Sequence, residues 1–495
     1  MKAVLVASGL AFALSFPAAA QLPPLRLPEG MGVNIHFVTG HERDLDLISA
    51  AGFRWVRMDF TWEAVERRRG EYDWTGYDEL TRNLRRRGLR ALFILDYSHR
   101  LYEESVQTTN PITGRPETNV ASPRKPESVE AFARWAAAAA ARYAGQRVVW
   151  EIWNEPNIFF WRPHPNVGDY IRLAHATARA VRAADPRATL VAPAISGFDP
   201  PFMERFLASG ILEYLDGVSV HPYRFRRPPE TAEAEYRELR RLVDAHTPAG
   251  RDRPIPIVSS EWGWSTDGKD VSPDTQAAFL VRQQLFNLSI GVPLSIWYDW
   301  KNDGRDPHER EHNFGVVDAD LNPKPAYRAV QTLVRELAGY AVGGRFPLER
   351  GSDWVLVLTN DPGMTRLAAW SVEPPSTVTL QVEGKPPPEG WRVVAGDGQE
   401  SRLPATGRGL TLELQRAAAV RGSRQGPAAA LNLRAPALAD APGARSAPVE
   451  RLREKFRGWA DVRVARAGNP PVTRPPRSLM LGPGASDIRF RCATG

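Results

Sequence analysis

The sequence predicts an α/β protein: a (β/α)8 TIM barrel at residues 21–339, a small β-sandwich-like domain at 340–419 and a disordered tail at 420–495. Three observations predict it. Short apolar runs alternate with amphipathic helical patterns as far as Leu337. After Gly339 the runs shorten and are separated by Pro and Gly turns. From Val420 the chain is rich in Arg, Ala and Pro, with no periodic apolar face to bury.

The strand candidates of the first region are Gly32–Val38, Arg54–Asp59, Ala91–Tyr97, Val148–Asn154, Thr189–Pro193, Gly217–His221, Ile255–Glu261 and Leu294–Trp300. Between them lie amphipathic stretches such as Glu130–Tyr143, Tyr170–Ala184, Ala232–Ala245, Thr275–Leu288 and Ala326–Leu337. Eight such units in roughly 310 residues suit a closed barrel. A doubly wound open sheet is the alternative, and the lack of a Gly-rich phosphate loop after the first strand lowers it. Further on, Trp354–Thr359, Leu367–Ser371, Thr377–Val382, Trp391–Ala395 and Leu410–Leu414 read as strands. They form either a stabilising appendage or a carbohydrate-binding module.

Composition bounds the function. Of 495 residues, 43% are hydrophobic and 24% charged, enough apolar material for a large core. The net charge of +7 is misleading, because residues 421–495 carry +9 and residues 1–420 sum to −2. The body therefore has no charge-based reason to bind nucleic acid. Met1-Lys2, an apolar run from Ala3 to Phe16 and Pro17-Ala18-Ala19-Ala20 describe a signal peptide over 1–20, cleaved after Ala20. The run is shorter than the ~20 residues that span a bilayer, so a secreted or periplasmic protein with no stable membrane span is expected. Cys492 is the single cysteine, so no intramolecular disulfide forms within this sequence. The oligomeric state stays open.

Two acidic motifs end candidate strands, where barrel active sites are built. Trp150-Glu151-Ile152-Trp153-Asn154-Glu155-Pro156-Asn157 closes the fourth and Ser259-Ser260-Glu261-Trp262-Gly263-Trp264 the seventh. Two carboxylates opposed across a barrel mouth can hydrolyse a glycosidic bond: one protonates the leaving oxygen while the other attacks carbon or activates water.

With these motifs the chain resembles the clan A retaining glycoside hydrolases, over roughly the 310 residues of the barrel. Within that clan the two motifs most resemble family 39. Leu95-Asp96-Tyr97-Ser98 is similar to the strand-three end of its bacterial exopolysaccharide-hydrolase branch. The resemblance implies double displacement on a polysaccharide or oligosaccharide, with Glu155 as acid/base and Glu261 as nucleophile. It also implies that Asn154 holds the sugar 2-hydroxyl, that His221 and Tyr223 at the strand-six end serve the nucleophile, and that Asp96 contacts sugar. Trp297, at the end of strand eight, is the expected stacking platform, one of seven tryptophans near strand ends with Trp62, Trp153, Trp161, Trp262, Trp264 and Trp300. His36 either lines the sugar site or fills core.

Glu151 shares a strand face with Glu155, one layer deeper. A buried carboxylate needs a partner, and Arg57 on strand two is the candidate, supporting the pair and keeping Glu261 ionised. Two other classes compete. With nine histidines and no His-x-His on strand one, a metal-dependent hydrolase is poorly supported, so neither metal nor organic cofactor is expected. A catalytically inactive polysaccharide-binding barrel of an exopolysaccharide assembly system would not need both glutamates. The partner is a carbohydrate in either case. Endo or exo action turns on loops such as Tyr102–Lys125.

Overall fold

The computed structural model describes residues 22–110, 114–383, 390–404 and 409–415, together with 429–433, 463–465 and 489–491. Residues 1–20, expected to be a signal peptide, lie outside the described residues. Eight parallel strands close the barrel: β1 (Met31–Asn34), β2 (Trp55–Thr61), β3 (Arg90–Asp96), β4 (Val149–Ile152), β5 (Thr189–Ser196), β6 (Gly217–His221), β7 (Ile257–Trp262) and β8 (Ser295–Trp297). Each pairs with its neighbour in sequence, and β8 returns to β1 through Met31↔Ser295 and Val33↔Trp297. Each strand falls on an expected run, with ends moved by a few residues.

Eight helices cover the barrel: α1 (Glu42–Ala51), α2 (Thr75–Arg86), α3 (Pro126–Arg142), α4 (Val167–Ala184), α5 (Pro200–Ala208), α6 (Glu233–His246), α7 (Pro273–Ser289) and α8 (Pro325–Leu337). Their starts carry local signals. Asn166, Asp199 and Ser272 cap α4, α5 and α7 by accepting the backbone N–H three residues on. Proline occupies the first turn of α3, α5, α7 and α8, where its missing N–H costs no bond.

Side chains alternate along the strands, so every second one enters the barrel. Trp55, Leu92, Ile94, Val149, Val191, Val258, Leu294 and Ile296 form an apolar floor, closed below by Leu22. Space there is tight at Gly32, where an added Cβ would lie 2.3 Å from Ile296 Cδ1 and 2.8 Å from Trp55 Cβ. Further along β2, β3, β4 and β7 the inward positions turn polar, with Arg57, Asp96, Glu151 and Ser260. The second apolar layer, between strands and helices, takes the alternate positions.

The C-terminal domain is built on β9 (Ala341–Arg345), β10 (Asp353–Thr359), β11 (Thr365–Ser371), β12 (Ser376–Glu383), β13 (Trp391–Ala395), β14 (Glu400–Leu403) and β15 (Gly409–Leu414). A further strand, β16 (Ala429–Leu433), lies between β11 and β13 in the larger, six-stranded sheet. Arg463–Ala465 and Arg489–Arg491 pair with β12. These three segments fall within the stretch expected to be a disordered tail, so the expectation narrows to the residues between them, which lie outside the described residues.

The two domains are joined by a buried polar contact. Glu230, in the loop after β6, accepts from Arg282 of α7 through both oxygens and from Trp370 Nε1 of β11 at 2.7 Å. Trp370 stacks on Trp354 at 5.5 Å, and Trp354 meets Phe286 of α7 edge-on at 5.8 Å. All three polar partners are at most 7% exposed. Removing one charge of such a pair strands the other without water or counter-ion. Glu230→Gln is therefore expected to cost about 3–5 kcal/mol, read as a lowered urea midpoint at unchanged slope.

Candidate active site

Arg57 organises the barrel mouth. It is 1% exposed, and all five of its N–H groups have acceptors. Nε donates to Glu151 Oε2 at 2.8 Å; one terminal nitrogen reaches Glu261 Oε2 at 2.6 Å and Asn34 Oδ1 at 3.3 Å. The other reaches Asn154 Oδ1 at 2.8 Å and His221 Nε2 at 3.3 Å. The structure thus gathers five residues, from the two motifs and from strands one and six, around one guanidinium, and it pairs Arg57 with Glu151.

The nucleophile candidate reaches the mouth through a strand irregularity. Val258 and Ser260 point inward, so simple alternation would turn Glu261 outward. Between Ser259↔Ser295 and Trp262↔Trp297 strand β7 carries one more residue than β8, a bulge that brings Glu261 inward too. There Glu261 also accepts from the Tyr223 hydroxyl at 2.6 Å. Burial works to raise the Glu261 carboxyl, but the Arg57 guanidinium and the Tyr223 donor are among the neighbours that outweigh it and hold it below its usual range. Burial and the Glu261 charge push the Tyr223 phenol well up, so it stays a donor.

Glu155 stands where β4 leaves the barrel. Its backbone has φ of 46°, and its N–H donates to the Ala194 carbonyl at 2.9 Å. Ala194 (φ 53°) is the extra residue at a similar register shift between β5 and β6. His221, fully buried, lies with Nδ1 3.0 Å from Glu155 Oε1 and 3.9 Å from Glu261 Oε2. Arginine can only donate, so Arg57 makes His221 Nε2 an acceptor and assigns the ring proton to Nδ1, facing Glu155. The Glu155, His221 and Glu261 atoms lie within 4.8 Å of one another. Such a set is compact enough for a metal ion, but the guanidinium already supplies the positive charge beside Glu261.

Two of the expected sugar contacts, Trp297 and Asp96, are buried away from the mouth. Trp297 is fully buried: Ile296 belongs to the barrel interior, so Trp297 points outward and stacks on Trp264 at 5.6 Å. All seven strand-end tryptophans are 0–1% exposed and serve packing, because an indole fills the space between strand and helix layers. The next inward position on this strand is Tyr298, half-buried between His36 and Phe314 at ring distances of 5.6 and 5.2 Å. Period two counted from Ile296 was the signal for it.

Asp96 is 0% exposed and does not open to the mouth. Neither of its oxygens has a donor among the described residues. Burial and the charge of Asp59 push its carboxyl well above the usual range, and in its acid form it donates to Asp59. Asp59, two residues after Arg57 on the same inward face, escaped the sequence reading. His36 does reach the rim, where it is exposed and bonded to Asp303 at 2.9 Å, with Asp299 at 3.9 Å. Desolvation opposes protonation of His36, but the Asp303 and Asp299 carboxylates raise it to about 9.

A family model described as Cellulase (glycosyl hydrolase family 5) matches residues 27–303. A β-xylosidase of Caldicellulosiruptor saccharolyticus is 26% identical over 201 residues, 37% of this chain and 40% of that protein. A β-xylosidase of Geobacillus stearothermophilus is 37% identical over 95 residues, 18% of this chain and 19% of that protein. The chain thus matches less than half the length of either curated relative. Among solved structures, a family 39 glycoside hydrolase from Bacteroides cellulosilyticus superposes with a TM-score of 0.68 at 24% identity, over 84% of this chain and 82% of its own. A family 39 β-xylosidase from Caulobacter crescentus does so with 0.52 at 20% identity, over 74% and 84%. At these identities the likeness is one of fold.

The Asp59–Asp96 pair has a signature in pH. The native state holds the Asp96 proton more tightly than the unfolded chain, so wild-type stability falls as pH rises above the ordinary aspartate value. Asp96→Asn keeps the shape and a donor without that dependence. Its urea-derived stability relative to wild type should climb between about pH 5 and pH 8, by up to ~1.4 kcal/mol per unit. A constant difference across that window would mean that Asp96 is ionised in the folded protein.

Proposed function

Because the chain belongs to the cellulase family, glycosyl hydrolase family 5, we propose that it is a retaining glycoside hydrolase using Glu155 as acid/base and Glu261 as nucleophile. One observation carries this reading: the two carboxylates approach within 4.8 Å across His221. Retaining enzymes hold their carboxyl groups ~5–5.5 Å apart, too close for the intervening water that inversion requires.

The chemistry then divides by environment. Glu261, held ionised by Arg57 and Tyr223, attacks the anomeric carbon. Glu155 donates its proton to the leaving oxygen, and afterwards takes one from water as the glycosyl-enzyme is hydrolysed. His221 Nδ1–H orients Glu155 and offers a donor whichever charge the carboxyl carries. Asn154 presents its Oδ1 to Arg57 and its amide also meets the Tyr97 phenol, which leaves one amide N–H for the sugar 2-hydroxyl. None of these steps calls for a metal or an organic cofactor.

The substrate proposed is a β-linked chain of neutral sugars, with xylo- and cello-oligosaccharides tested first on the strength of the family and the β-xylosidase relatives. The N-terminal pattern supports export, with a mature protein starting at Gln21, which N-terminal sequencing of the exported product checks.

Roles are separated by azide. Glu155→Ala should still form the glycosyl-enzyme from an activated aryl glycoside and then stall, so that azide yields a glycosyl azide of retained configuration. Glu261→Ala has no nucleophile, and azide should give the inverted product. Exchanged stereochemistry would reverse the assignment. A second outcome concerns pH: Tyr223→Phe removes a donor that lowers Glu261, so Glu261 ionises later on the way up from acid. The acid limb of kcat/KM should move up by about one pH unit while the alkaline limb stays.

A further inference from the structure

Among the described residues, four large apolar side chains are conspicuously exposed: Leu25, Phe159, Phe225 and Met364. Leu25 precedes the barrel, and Met364 lies between β10 and β11 of the C-terminal domain. The two aromatic ones both rise from loops at the C-terminal ends of barrel strands. Phe159 (42% exposed) follows the β4 motif that carries Glu155, and Phe225 (58% exposed) follows β6 just beyond Tyr223.

Neither is a stray surface residue. Phe159 ends an aromatic run that starts beside the acid/base: Trp153 meets Tyr97 at 5.6 Å, Tyr97 stacks on Phe160 at 6.0 Å, and Phe160 contacts Phe159 at 4.5 Å. Phe225 has φ of 55°, a left-handed conformation that a bulky residue adopts at a cost glycine would avoid. Arg310 covers one ring face, with its guanidinium carbon 5.2 Å from the centroid. The loops after β4 and β6 flank β5, on the side of the mouth from which Glu155 projects. A general acid addresses the leaving group, so this is where the departing part of the substrate sits.

We propose that Phe159 and Phe225 are stacking platforms for sugar units on the leaving-group side, which directs cleavage to bonds inside a chain. The inference rests on the glycosidase reading above and adds the part of the substrate that it leaves open. Sugar rings present C–H faces that suit exposed aromatic rings.

The test compares xylohexaose and cellohexaose with β-xylosyl and β-glucosyl fluoride, whose leaving group has no ring to stack. In Phe159→Ala and Phe225→Gly the ratio of kcat/KM on hexasaccharide to that on fluoride should fall about tenfold. Phe225→Gly should melt no lower than wild type, since glycine relieves the backbone, which separates the effect from misfolding. Met364→Ala serves as the surface control with an unchanged ratio. Wild type should release di- to tetrasaccharides first. Unchanged ratios in both variants, or a monosaccharide as the sole first product, overturn the platforms while leaving the glycosidase reading intact. Wild-type protein that cleaves neither substrate type overturns both.

Discussion

A guanidinium sealed inside a barrel is the constraint on which this site depends. A buried cation is tolerable only when paired and when each of its N–H groups has an acceptor, and Arg57 meets both conditions with two carboxylates, two asparagines and one imidazole. Those partners come from β1, β4, β6 and β7, so Arg57 fixes the relative position of strands that are far apart in sequence. It also settles protonation. The Glu261 charge is stabilised, the Asn154 amide is oriented, and the His221 proton is directed at Glu155.

Much of this architecture could be read from residue order. The strands were legible because apolar runs inside a closed parallel barrel are buried on both faces and show as continuous stretches. The two glutamates were legible because each ends such a run. What escaped depends on which face of a strand a residue takes. Trp297 and Tyr298 are adjacent, and deciding between them requires knowing that Ile296 points inward. Glu261 faces the mouth only because one extra residue interrupts the alternation of β7, and nothing in Ile257–Trp262 advertises it. Asp59 looked like an ordinary strand end, since its meaning comes from Asp96, which neighbours it only once β2 and β3 pair.

Aromatic residues divide by the same logic. The tryptophans near the strand ends are large and fully buried because the gap between strand and helix layers needs volume. The rings left at the surface of the mouth are smaller, Phe159 and Phe225, and they sit on loops rather than strands. Rigid elements hold the charged groups in place, while the loops vary the apolar surroundings.

The loop after β6 carries Tyr223 at one end and Glu230 further along, and Glu230 is held by Arg282 of the barrel and Trp370 of the C-terminal domain. The unit that evolution or an engineer can exchange is therefore larger than the loop. A graft of residues 222–232 into another barrel would import a carboxylate that needs both partners, and a barrel stripped of its β-domain would leave that carboxylate facing one. Modularity here ends at Trp370: the appended domain and the loop after β6 have to be inherited together.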